Sequence, residues 1–204
     1  MFRFWLVCAS LLGLITPSVA GDCVGVKKTP AAFINTPDWV KTVVQPSNYL
    51  NLWHGNVIAT FVDNYDIVAD VKAHDGGFCV GIKNVNATVG YNNFTVQIDI
   101  RHQPNSCKYN AILSHEDKHI KTYLDVMNEY RADFQRALYV AADSVMPIWI
   151  DNKADVDMAI DKINNQLQNH PELVLVNQKI RANEEIKNKK VDEHENRESL
   201  KKCE

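Results

Sequence analysis

Residues 108–145, KYNAILSHEDKHIKTYLDVMNEYRADFQRALYVAADSV, contain no glycine and no proline. Ile112, Ile120, Tyr123, Met127, Tyr130, Phe134, Leu138, Ala141 and Val145 recur in them at helical spacing, which predicts one long amphipathic helix. At about 100° per residue, Ile112, Tyr123, Tyr130, Phe134 and Ala141 fall on one face. Glu116 lands inside that apolar cluster, and His115 and His119 lie along its edge. Asp117, Lys118, Lys121 and Asp125 point elsewhere, as a solvated face should. A carboxylate on an apolar stripe is costly unless it has a partner or a function, and burial raises its pKa toward the range useful to a general base.

The five residues His115-Glu116-Asp117-Lys118-His119 carry the chemistry. Histidines four apart project from the same side of a helix, one turn above the other, so both rings can reach one tetrahedral ion. In H-E-x-x-H hydrolases the intervening glutamate is the general base rather than a ligand. The pattern therefore predicts His115 and His119 as metal ligands, Glu116 as the catalytic base and Zn2+ as the ion. The plainer alternative is a pair of hydrogen-bonded histidines beside a glutamate paired with Arg131.

Working outward, the chain before this helix reads as sheet and the chain after it as helix. Segments 57–62, 66–73, 78–89 and 94–101 are β-rich, with Gly90-Tyr91-Asn92-Asn93 read as a turn between the last two. Val96, Ile98 and Ile100 alternate with Gln97, Asp99 and Arg101, giving one buried and one wetter face. Gln103-Pro104-Asn105-Ser106 then stops the strand, and Pro147 ends or bends the long helix. Two further helices are expected at 153–168 and from Pro171 to about residue 190. This order predicts an α+β domain spanning 21–204, with an antiparallel sheet in its N-terminal half followed by the H-E-x-x-H helix and two more helices.

The first twenty residues read as an export signal. Arg3 gives a positive start, residues 6–15 an apolar core too short for a stable membrane anchor, and Ser18-Val19-Ala20 a small-residue cleavage site. The expected location is secreted or periplasmic. Of the 5 cysteines, Cys8 would leave with the signal, and Cys23, Cys79, Cys107 and Cys203 would remain for two disulfides. The expected pairs are Cys79 with Cys107, flanking the path into the long helix, and Cys23 with Cys203, tying the ends. A four-thiolate zinc site is disfavoured because no pair shows C-x-x-C spacing. A formal net charge of −3 gives no sign of nucleic acid or an anionic membrane as partner. No later segment is long and apolar enough to predict a membrane span. The sequons at Asn86 and Asn93 take sugar only where the host has that machinery.

A β-sheet leading into an H-E-x-x-H helix resembles the zincin superfamily of metallopeptidases. More narrowly, the run from Cys107 to His119 after a strand looks like small exported bacterial proteins classed as zinc-dependent proteases. The resemblance covers about residues 78–143, with a weaker similarity at the C-terminal cysteine. It implies hydrolysis of peptide bonds or of amides in cell-wall peptides, with a tyrosine or histidine holding the oxyanion; Tyr109, Tyr123 and His102 are candidates by sequence proximity. Residues 120–123 continue the helix where a metzincin would turn on a glycine. Glu129 lies about 15 Å along the axis from His119 and is too near in sequence to complete a gluzincin site. The third ligand is left among Glu172, Asp192, His194, Glu195 and His102. Cys203 implies that the charged tail is pinned, and this brings Asp192, His194 and Glu195 into consideration. The competing expectation is a non-catalytic exported binding or assembly module with a structural or vestigial metal site.

Overall fold

The computed structural model describes Cys23, Gly25, residues 27–47 and 54–195, and Cys203, with the side chains of His194 and Glu195 excepted. The expected export signal at 1–20 lies outside the described residues. Among the described residues nine elements follow one another: β1 (Ala31–Asn35), β2 (Val40–Val44), β3 (Gly55–His74), β4 (Gly77–Ile98), α1 (Cys107–Ser144), β5 (Ile148–Ile150), a 3-10 turn (Lys153–Asp155), α2 (Val156–Gln168) and α3 (Pro171–Glu195).

The antiparallel sheet expected from the sequence is overturned. β1 and β2 both run parallel to β4, through Ala31↔Asn84 to Asn35↔Thr88 and Val40↔Asn93 to Val44↔Gln97, and the five-stranded sheet with its three helices is an α/β arrangement. Among the described residues only the β3–β4 hairpin and the short β5–β4 pair are antiparallel. Because β3 occupies one edge of β4 along nearly its whole length, β5, β1 and β2 share the other edge end to end. The two parallel strands were not expected because each has only five residues and pairs with a segment some fifty residues away. Their partners are set by tertiary packing rather than by a local turn.

The expected turn at 90–93 is also corrected, since β4 runs through it unbroken. The hairpin closes instead at Asp75-Gly76, whose φ values of 46° and 81° fit the two-residue turn that Asp-Gly favours. Register shifts between Val68/Ala69 and Thr60/Phe61 each leave an unmatched residue on β4. Each shift moves the inward face of β4 by one residue: Val80 and Ile82, then Val85, Ala87, Val89 and Tyr91, then Phe94, Val96 and Ile98 are buried. The break in alternation near Gly90 is therefore a bulge.

The inward face of β4 packs on α1 through Ile112, Ile120, Met127, Phe134 and Leu138. Ser106 caps α1, its Oγ accepting from the Tyr109 amide at 3.2 Å. The helix ends at Ser144, shortly before Pro147. α3 lies antiparallel along α1, fixed by Asn183 and Lys187 on Glu129 at one level and by His119 with Asn188 at another. The same register carries the end of the chain back to the start of α1, where Cys203 joins Cys107. The second disulfide joins Cys23 to Cys79. Both expected pairings are thus wrong, because Cys107 sits at the first residue of α1 beside the returning tail and Cys79 faces the N-terminal segment. No helix among the described residues is long and apolar enough to cross a membrane.

Candidate metal centre

His115 and His119 stand one turn apart on α1 and face α3, as their spacing requires. On α3, Asn188 and Asp192 repeat that four-residue spacing and so meet them in turn. Asp192 Oδ1 lies 3.2 Å from His115 Nε2 and 3.1 Å from His119 Nε2, and the two Nε2 atoms are 3.1 Å apart. Three ligand atoms converging in this way could hold one metal ion. His119 Nδ1 is 2.8 Å from Asn188 Oδ1. An amide oxygen can only accept, so the proton sits on Nδ1 and the Nε2 lone pair is left for a metal. The histidine side chains are 10% and 13% exposed and that of Asp192 is 42% exposed, so the group is open from the Asp192 side.

Glu116 follows His115 but is rotated about 100° around the helix, toward the first residue of β3. A Cβ at Gly55 would stand 2.5 Å from Glu116 Oε1 and 2.5 Å from Ile112 Cγ2. Glycine is what lets the carboxylate lie against this strand. Glu116 is 4% exposed. Burial first, then the charges of Asp192 and Asp117, push its pKa up to about 7.

The remaining candidates fall elsewhere. Glu172 is exposed in the first turn of α3, about 30 Å of helix from Asp192. His102 pairs with His54, ring nitrogens 2.9 Å apart, and desolvation and that neighbour lower its pKa. The side chains of His194 and Glu195 lie outside those described. Tyr123 packs against Tyr91, ring centroids 5.0 Å apart, and burial and then the charges of Glu184 and Asp192 raise its pKa, so its phenol sits in the field of the metal group. Tyr109 packs against the core, half-buried. Arg131 does not pair with Glu116; it lies about 22 Å further along α1 and reaches Thr36.

Sequence reasoning had no place for Asn188 or Gly55. The repeated i, i+4 spacing of polar residues Glu184, Asn188 and Asp192 along α3 was the signal that could have found the first. Comparison of the chain with family models, curated proteins and solved structures finds no match, so the site is read from its own geometry.

Proposed function

We propose that the protein is an exported zinc-dependent hydrolase of the metallopeptidase kind, in which His115, His119 and Asp192 hold one zinc ion and Glu116 is the general base. The observation that carries this reading is the triangle of ligand atoms beside a buried glutamate. A tetrahedral zinc with bonds of about 2.05 Å has ligand atoms about 3.3 Å apart, and the three edges here are 3.1, 3.1 and 3.2 Å. Two imidazoles and one carboxylate are a donor set of catalytic zinc sites, which keep one position open. The two disulfides suit an oxidising compartment.

Zinc, when bound, would acidify a water and polarise a substrate carbonyl. The chain's own residues then do the rest. Glu116, with its pKa near neutrality, can take a proton from the attacking water and return it to the leaving amine. Asn188 holds the His119 ring in the ligating tautomer. Tyr123 is the better placed of the two tyrosine candidates for the oxyanion, because it faces the Asp192 side. The substrate class is a peptide or a cell-wall amide bond.

The test is hydrolysis of a mixed peptide panel and of cross-linked cell-wall peptide by the zinc-loaded parent and by Glu116→Gln. The parent should cleave, and the variant should keep its zinc and its Tm while losing rate by several orders of magnitude. Equal rates, or loss of zinc together with rate, would remove Glu116 from the role of base. A parent that binds zinc and cleaves neither panel would favour the non-catalytic module.

A further inference from the structure

A second site lies on the other side of α1 from the metal group. On this edge of β4, β1 ends opposite Thr88 and β2 begins opposite Asn93, so, among the described residues, 89–92 have no strand partner there. The chain crosses this break through Thr36, Pro37 and Asp38. Gly90, at φ 145°, carries β4 through the break, and a Cβ there would meet Pro37 Cδ at 3.1 Å. Between this gap and α1 is a cavity of about 290 Å³.

Its wall is apolar, with Trp39, Val89, Leu124, Met127 and Phe134 among the lining residues. The Tyr91 hydroxyl is turned away to donate to Glu184 Oε1 at 2.6 Å, so that residue presents its ring. Among the described residues Arg131 is the one charged residue of the lining. It is exposed, makes no ion pair with a carboxylate among the described residues, and its contact with Thr36 Oγ1 is a long 3.5 Å. A guanidinium at the mouth of an apolar cavity selects a ligand with an apolar body and one anionic head.

We propose that this cavity binds an amphipathic monoanion, its apolar part between Trp39, Leu124 and Met127 and its carboxylate on Arg131. A cavity of about 150 Å³ holds benzene, so one of this size takes a body of about ten to twelve heavy atoms. The site is separate from the metal group and does not depend on the proposed hydrolysis.

The experiment is isothermal calorimetry of the full exported chain with decanoate, 1-decanol and decyltrimethylammonium, each below its micelle concentration and with a chelator present. Decanoate should bind at one site per chain, more tightly than decanol, with decyltrimethylammonium weakest. Arg131→Gln, a change at an exposed position, should weaken decanoate about tenfold and leave decanol unchanged. Leu124→Trp should fill the cavity and abolish both; if that variant does not fold, the Arg131→Gln series still decides. Absence of saturable decanoate binding, equal affinity for the cationic probe, or no effect of Arg131→Gln would overturn the proposal.

Discussion

The histidine pair and Glu116 were legible because their relation is local: four residues on a helix fix two side chains on one side and the third about 100° away. Asp192 was one of five candidates, and no local rule could separate it from the others. What selects it is the register of α3 against α1, set by packing over some seventy residues of intervening chain. Two consequences belong to single residues. Asn188→Ala removes the partner that fixes the His119 tautomer and should weaken zinc binding about 10- to 100-fold with little change in Tm, measured by chelator competition. Gly55→Ala drives a methyl into Glu116 Oε1 and Ile112. It should lower Tm and hydrolytic rate while zinc content stays near one per chain; an unchanged rate would show that the carboxylate does not need its position against β3.

At the scale of elements, the long helix was legible to within a residue or two because it is periodic and uninterrupted, and the later helices because Pro171 and the apolar spacing mark them. The strands were read less well for a physical reason. A bulge shifts alternation by one residue, and at Gly90 this has the same sequence signature as a turn. Parallel pairing of two five-residue strands leaves no local mark at all. The disulfides were miscast because their partners depend on that unseen topology, although a tail pinned through Cys203 was expected and is found. Mass mapping of the non-reduced protein should give Cys23 with Cys79 and Cys107 with Cys203. The second link closes a separation of 96 residues and contributes roughly 4 to 5 kcal/mol in the chain-entropy model. It also ties the end of the Asp192-bearing helix to the start of the histidine-bearing one. Cys203→Ser should therefore lower both Tm and zinc affinity, whereas Cys23→Ser, remote from α3, should lower Tm alone.

For the whole molecule, a polar stripe on α3, buried at Glu184, joins the sheet to the helical layer: Tyr91 of β4 donates to Glu184, one turn before Asn188 and two before Asp192. Burial raises the Glu184 pKa above its ordinary value of 4.5, so the folded chain binds that proton more tightly than the unfolded chain does. Stability from this group is therefore greatest below about pH 4.5 and falls as pH rises through the folded-state pKa. Glu184→Gln keeps an acceptor for Tyr91 and removes the titration. In metal-free buffer its Tm should exceed that of the parent by a margin that grows from pH 4 to pH 8; a constant or shrinking margin would refute the linkage. The central claim is that the fold brings His115, His119 and Asp192 onto one ion, and anomalous diffraction at the zinc edge from zinc-soaked crystals tests it most directly. The account predicts a single strong peak about 2.0 to 2.2 Å from His115 Nε2, His119 Nε2 and a carboxylate oxygen of Asp192. A peak that leaves Asp192 uncoordinated, or no peak between α1 and α3, would contradict it.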